Sequence, residues 1–261
     1  MKKLFLFLSA FSVAVLSSCS NDDDNNSGTP SSDVLVKRIV AHQEDPDGIN
    51  YEVDYTYSGN KMVQGVYDDG YTEKYYYTGN EITKIEYIFD GDVEERELFA
   101  YNAQGKLIEY RDQDLLEDFE EVTAMAYNGN STITQTISSG SVGDTSPTGE
   151  TRTLTLTNGE VSQVVQTDGT VYNYTYDTRN SPFKNVTGFA EIAHIYSGDF
   201  EYEGRSKTIA TIVDATHTQN YTVNTWQYNG NDYPTTLSST SIFEYNFPDE
   251  TETLTMQFFY E

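Results

Sequence analysis

Apolar and polar residues alternate through most of the chain beyond residue 50. Residues 51–57 read YEVDYTY, so that four apolar side chains alternate with three polar ones. A period of two places successive side chains on opposite faces of an extended strand. The pattern predicts strands with one buried aromatic face and one face in water.

Turn signals separate these alternating stretches. Asn-Gly and Asp-Gly pairs favour the positive φ angles of two-residue type I′ hairpins, which join antiparallel strands. The pairs are Asp69-Gly70, Asp90-Gly91, Asn128-Gly129, Asn158-Gly159, Asp168-Gly169 and Asn229-Gly230.

One phrase recurs along the chain at intervals of about 20 to 30 residues as far as Tyr176, after which an insertion breaks the rhythm. It reads "YTYSGNKMV" from Tyr55, "YYYTGNEIT" from Tyr75, "FAYNAQGKLIEY" from Phe99 and "WQYNGNDYP" from Trp226. Each copy has an aromatic residue and a tyrosine two positions later, then a Gly or Asn turn and an aliphatic strand. Each unit therefore has room for two strands and two turns.

One segment departs from the strand pattern. Phe189, Ile192 and Ile195 recur at helical spacing after Pro182, which predicts a short helix near residues 186–197. The predicted fold is all-β: an antiparallel meander of repeated hairpins over residues 34–261, forming a single domain. Such a sheet must protect its edges, so we expect it to curl into an open barrel with the helix in or over the mouth.

Two stretches resemble a known family. The stretch "YNAQGKLIEY" resembles a YD repeat of the Rhs type, with Tyr101, Gly105 and Leu107 in the matching places. The stretch "YDTRNSPFKNVTGF", from Tyr176, resembles a phrase of Bacteroidota lipoproteins that carry YD-like domains. The resemblance implies a β-rich body on a surface lipoprotein, without naming a ligand.

The N-terminus has the features of a lipoprotein signal peptide. Lys2 and Lys3 precede a short apolar run, which indicates a signal peptide over residues 1–18. The sequence Leu16-Ser17-Ser18-Cys19 resembles a lipobox, which implies acylation of Cys19 and a membrane contact through that lipid. The alternative is a free cysteine at the end of an ordinary signal peptide.

Residues 19–33 predict a flexible polar tether. They contain Ser, Asn, Asp, Gly and Pro with almost no apolar side chain. Asp22, Asp23 and Asp24 resemble the acidic export signal of surface lipoproteins, and Ser20 argues against retention at an inner membrane. We therefore expect an outer-membrane lipoprotein that faces the cell exterior. A plain solvated tether is the compatible alternative.

Charge and cysteine content exclude several classes of protein. The formal net charge is -27, and removal of residues 1–18 deletes two lysines and no acids. Such a surface repels nucleic acid and anionic lipid. Cys19 is the only cysteine, so the mature body contains no disulfide.

The motifs of common enzymes are missing from the sequence. His42, His194 and His217 have no metal-ligand spacing, and neither a nucleophile elbow nor a phosphate loop occurs. A Ca²⁺ site at Asp45, Asp47 and Glu52 is less favoured than a plain acidic turn. We expect no cofactor, no metal and no enzymatic activity. The alternative is an enzyme or accessory protein for extracellular polysaccharide.

The favoured function is a scaffold or binding module for a glycan or protein ligand. Trp226, Tyr228 and Tyr233 lie in the last copy of the phrase, beside a turn that precedes Pro234. Flat aromatic faces there are candidates for stacking on a ligand. The alternative is that these rings pack within the sheet, as aromatic residues in strands commonly do.

Overall fold

The computed structural model describes residues 34–43, 48, 50–195, 204–217, 219–243 and 250–261. These residues form sixteen strands and one short helix. The first eight strands are β1 (Val36–Gln43), β2 (Asn50–Ser58), β3 (Lys61–Tyr67), β4 (Thr72–Thr78), β5 (Glu81–Phe89), β6 (Asp92–Tyr101), β7 (Leu107–Asp114) and β8 (Phe119–Asn128). The others are β9 (Thr132–Ser141), β10 (Asp144–Thr157), β11 (Glu160–Gln166), β12 (Val171–Asn180), β13 (Lys207–Asp214), β14 (Tyr221–Tyr228), β15 (Pro234–Phe243) and β16 (Glu250–Tyr260).

The strands form one closed antiparallel barrel. Each strand pairs with the next along the chain, and β1 also pairs with β16. The predicted all-β meander of hairpins is therefore confirmed, but the sheet is closed rather than open. Closure gives β1 a hydrogen-bonded neighbour on both sides, so the barrel leaves neither end strand as an exposed edge.

The turns follow the prediction only in part. Both residues of Asp90-Gly91 and of Asn158-Gly159 have positive φ, as a type I′ turn requires. At Gly70 and Gly169 only the glycine does, because these turns are longer. In the first of them the Tyr67 N–H donates to the carbonyl of Tyr71 at 2.9 Å. At the remaining two pairs the positive φ falls later, on Ser131 and Asp232.

The tyrosines of the repeated phrase connect adjacent hairpins. In three units the hydroxyl at the end of one hairpin donates to a backbone carbonyl in the preceding hairpin. Tyr57 donates to the Val36 carbonyl at 2.7 Å, Tyr101 to Ile82 at 2.8 Å and Tyr176 to Val161 at 2.8 Å. The repetition in the sequence thus has a structural role, since each such tyrosine ties two hairpins together.

The predicted helix exists but is short. Helix α1 spans Phe189–Ile192, four residues, and begins after Gly188, whose φ is 83°. Val186 and Ile195 lie in turns on either side, so the apolar spacing of the segment reflects a compact set of turns more than a long helix. Residues 196 and 197 of the predicted helix lie outside the described residues.

Residues 181–195, which we call the plug, close one end of the barrel. The Thr187 N–H donates to the carbonyl of Asn60 in the β2–β3 turn at 2.9 Å, and the Asn185 amide donates to the carbonyl of Val34 at 3.1 Å. The Phe183 ring lies 5.8 Å from that of Tyr55. This position over the mouth of the barrel agrees with the prediction.

The half of the barrel nearest the plug has an apolar interior. A sixteen-stranded barrel of circular section would enclose a water-filled channel. Here the inward-facing side chains pack into one continuous core with the plug instead. Among the most deeply buried are Ile39, Met62, Ile82, Leu107, Ile133, Leu154, Ile192 and Leu237.

Candidate functional site

Buried carboxyl groups and tyrosines occupy the interior of strands β3 to β7 away from the plug. The strand registers place Glu73 opposite Tyr87, and Glu97 opposite Asp112, on the inner face. We call this region, formed by Tyr67, Glu73, Tyr87, Glu95, Glu97, Asp112 and Asp114, the acidic inner face. It begins directly after the β3–β4 turn, at the end of the barrel opposite the plug.

Glu73 is the most deeply buried of these acids. Its side chain is 0% exposed, and neither carboxylate oxygen has a hydrogen-bond partner of normal geometry in the described residues. Burial, and the nearby charge of Glu97, raise the pKa of Glu73 well above its usual value, although the hydroxyl of Tyr75 opposes the shift. Both effects disfavour the charged form of Glu73 in the ligand-free protein.

The strand beside Glu73 leaves room for the carboxyl group. Gly65 faces Glu73 across the β3–β4 ladder and contributes no side chain to the inner face. The Tyr67 ring is two residues further along β3, 8% exposed, and its hydroxyl has no hydrogen-bond partner in the described residues. Burial raises the pKa of Tyr67, and the charge of Glu73 adds to the shift. The two side chains are therefore close neighbours.

The acids of β6 and β7 extend this region. The Tyr110 hydroxyl donates to Glu97 Oε1 at 2.8 Å. Burial, together with the charges of Asp112, Asp114 and Glu94, raises the pKa of Glu95 to about 7. Several carboxyl groups thus share a region where they cannot all ionise without an added positive charge.

The histidines do not take part in this arrangement. Burial and the charge of Arg205 lower the pKa of His194 to about 4, and its Nε2 lies 3.3 Å from the Tyr127 hydroxyl near the plug. His217 Nδ1 lies 3.0 Å from Asp214 Oδ2. Within the described residues, no three Asp, Glu, His or Cys side chains converge as metal ligands would.

The three aromatic residues proposed for stacking contact other parts of the barrel: Tyr233 is buried, and Trp226 and Tyr228 are half-buried. Trp226 donates from Nε1 to the carbonyl of Ile209 at 2.8 Å, and its ring lies 5.9 Å from that of Phe258. The Tyr228 hydroxyl is 2.7 Å from Thr208 Oγ1, and that of Tyr233 accepts from the Asn185 amide at 2.7 Å. All three rings thus have partners within the barrel, and stacking on a ligand stays a prediction.

Other residues singled out in the sequence fall beyond the described ranges. Cys19, the acids Asp22, Asp23 and Asp24, and the pair Asp45 and Asp47 lie outside them. Glu52 is described: it lies on β2 and forms an ion pair with Arg38.

The outer face of strands β4 to β8 carries a network of charged and polar side chains. Glu86 accepts from Lys84 Nζ at 2.5 Å and from the Tyr76 hydroxyl at 2.6 Å. Across the next strands, Arg96 Nε donates to Gln113 Oε1 at 2.5 Å. The network continues from Gln113 to Glu120, from Glu120 to Arg111 and from Arg111 to Glu109. We call these eight side chains the outer polar network.

The outer face of strands β14 to β16 is polar without being charged. Cross-strand partners share a face, and the pairs here consist of hydroxyl and amide side chains. They are Thr225 with Ser238, Gln227 with Thr236, Thr236 with Gln257, Ser238 with Thr255 and Thr240 with Thr253. Apolar residues interrupt this pattern on the same strands: Tyr221 and Val223 of β14 and Phe259 of β16 are exposed on the outer face.

Known structures share this fold. A porin-like protein from Bacteroides uniformis ATCC 8492 matches with a TM-score of 0.54 and 12% identity, over 87% of this chain and 96% of that one. A porin-like protein from Bacteroides vulgatus ATCC 8482 matches with a TM-score of 0.50 and 14% identity, over 88% and 99%. No family model and no curated protein sequence matches the chain. At this identity the likeness establishes a common barrel fold only.

No helix in the described residues is long and apolar enough to cross a bilayer.

Sequence reasoning did not single out the acidic inner face. A signal is nevertheless present in the stretch "TEKYYYT" of β4, where Glu73 shares its phase with Tyr75 and Tyr77. In β6, Glu95 and Glu97 are in phase with Phe99 in the same way. The available clue was an acidic residue on the same strand face as the buried aromatic residues. The many acidic residues on the outer face made this clue hard to recognise.

Proposed function

We propose that this protein is a lipid-anchored envelope protein whose barrel lies in water and serves as a non-enzymatic binding module. The lipid on Cys19 would hold it at the outer membrane, with the acidic tether placing the barrel on the cell exterior. The polarity of the outer barrel face is the observation that carries this proposal.

A barrel that spans a membrane has an apolar outer band and a polar interior. Here the arrangement is the opposite over the half of the barrel nearest the plug. Lys84, Glu109 and Arg111 lie on the outside, whereas Ile82 and Leu107 fill the inside. Charged side chains on a lipid-facing strand cost about 2–4 kcal/mol each for Arg or Lys at the midplane. These partly exposed charges are therefore suited to water.

The filled interior also argues for binding over transport. The plug contacts the β2–β3 turn through Thr187, and the core beneath it contains tightly packed aliphatic side chains. A continuous path for solutes would have to pass through that packing. The plug closes one end of the barrel, and the interior toward the other end is polar. This arrangement suits a ligand that enters and leaves through that other end.

Cell fractionation tests the anchoring. In one variant, residues 1–19 are replaced by a signal peptide that the cell removes without lipidation, and a Ser20→Ala variant keeps Cys19 as the matched control. We expect the first protein in the soluble periplasmic or secreted fraction, and the control in the membrane fraction. If the unlipidated protein remained in the membrane after carbonate extraction, the barrel itself would be inserted and the proposal would be wrong.

A further inference from the structure

The acidic inner face is short of hydrogen-bond donors. Its atoms without a partner in the described residues are both carboxylate oxygens of Glu73, the Oε2 atom of Glu95 and the hydroxyl of Tyr67. Carboxylate oxygens can only accept, and most buried polar atoms in folded proteins have a partner. Three of these four atoms are carboxylate oxygens, so a group that donates would satisfy most of them.

We propose that the acidic inner face binds a small organic cation with several N–H donors, such as a primary ammonium or a guanidinium group, with Glu73 as its main partner. This inference deepens the proposed binding role and rests on it. It names the ligand class and the residues that would hold it.

The burial of Glu73 supports this assignment. A carboxyl group at 0% exposure without a partner costs free energy that a paired one does not. Strand alternation places Lys74, the next residue, on the opposite face, so this neighbour does not neutralise Glu73. A bound cation would supply the absent charge.

Aromatic rings around Glu73 favour an organic cation over a bare metal ion. Tyr87 lies opposite Glu73 on β5, and Tyr67 lies beyond Gly65 on β3. Ring faces attract ammonium and guanidinium groups by about 0.5–2 kcal/mol. A divalent metal would instead need several converging oxygen ligands, and such a cluster is absent from the described part of the chain.

The full mature chain, purified in mild detergent, tests the proposal by calorimetric titration. The probes are cadaverine, spermidine and arginine amide, which carry N–H donors. Tetramethylammonium carries the charge without donors, and CaCl₂ tests a metal. We expect at least one amine to bind saturably and tetramethylammonium to bind at least tenfold more weakly.

Variants assign the site. Glu73→Gln keeps the shape and removes the charge, and should weaken amine binding at least tenfold. Glu86→Gln removes a carboxylate from the outer polar network of β5 and should leave it unchanged. Tyr67→Phe, which keeps the ring, should weaken it about threefold or more, and serves if Glu73→Gln does not fold.

Four results would overturn the inference. These are no amine binding by wild type, equal binding by tetramethylammonium, binding unaffected by the inner-face substitutions, and Ca²⁺ binding that the same substitutions abolish. None of these depends on lipidation, so a failure here is separate from a failure of the fractionation test.

Discussion

Gly188→Ala should destabilise the barrel by loosening the contact between the plug and the β4–β5 turn. Gly188 has a φ of 83°, and a Cβ there would lie 2.9 Å from the Asn80 carbonyl oxygen and 2.9 Å from Ile82 Cγ1. The positive φ costs about 1–2 kcal/mol for a residue with a Cβ. The close contacts add about 1–3 kcal/mol, as overpacking typically does.

Gly70→Ala provides the matched control. Gly70 also has a positive φ, 93°, but a Cβ there would meet nothing within 4 Å. The backbone cost and the loss of unfolded-state entropy are then similar in the two variants. Their difference isolates the packing of the plug, which we expect to be about 1–3 kcal/mol. For a domain of this size that corresponds to a difference in Tm of roughly 2–12 °C.

Urea unfolding followed by tryptophan fluorescence measures both values. Trp226 is the only tryptophan in the chain and packs half-buried against Phe258 of the core, so its emission reports on global unfolding. Equal destabilisation by Gly188→Ala and Gly70→Ala would refute the tight contact between the plug and the β4–β5 turn.

Three further changes test other parts of the structure. Tyr101→Phe removes the hydrogen bond to the Ile82 carbonyl and should lower the free energy of unfolding, measured in urea, by about 0.5–1.5 kcal/mol. Tyr221→Phe changes an exposed ring and should leave the free energy of unfolding almost unchanged. Equal effects would contradict the role of the repeated tyrosines. His194 has a pKa of about 4 when folded, below the usual 6.5, so its contribution to stability should fall by about 3 kcal/mol as the pH drops from 7 to below 4. The His194→Phe variant should lose this pH dependence, and the His42→Gln variant should keep it. Parallel stability profiles for wild type and His194→Phe would contradict the assignment to His194. Glu95 has a folded pKa raised to about 7, so its ionisation should lower the free energy of unfolding as the pH rises from about 4.5 to 7. The Glu95→Gln variant should reduce this loss of stability. An unchanged dependence of stability on pH would show that Glu95 is well solvated.

Strand periodicity predicted most of the fold. The alternating apolar and polar residues of β2 and the repeated phrase identified hairpins, and the apolar spacing around Phe189 located α1. The strand β15 is harder to define from the sequence than its neighbours. Its sequence, PTTLSSTSIF, contains few apolar residues, because Ser239 and Ser241 occupy inward positions where an aliphatic residue would have marked the period.

Barrel closure and the acidic inner face required the structure. Closure depends on the pairing of β1 with β16, more than 200 residues apart along the chain, and local pattern carries no trace of such a contact. Glu73 looked like one acid among many because its burial depends on Gly65 and Tyr87 on adjacent strands. Trp226 drew attention as a large ring beside a turn, whereas the fold packs it half-buried against the core and bonds its Nε1 to Ile209.

The central claim is that the outer face of the barrel lies in water. Cysteine labelling tests it directly, because Cys19 is the only native cysteine. Ala124 and Met125 are adjacent in β8; the first is exposed on the outer face and the second is buried inside. We expect a membrane-impermeant maleimide, added to the lipidated protein in vesicles, to label Ala124→Cys rapidly and to leave Met125→Cys unlabelled. Protection of Ala124→Cys by lipid, together with labelling of Met125→Cys through a water-filled lumen, would show a membrane-spanning pore and contradict this account.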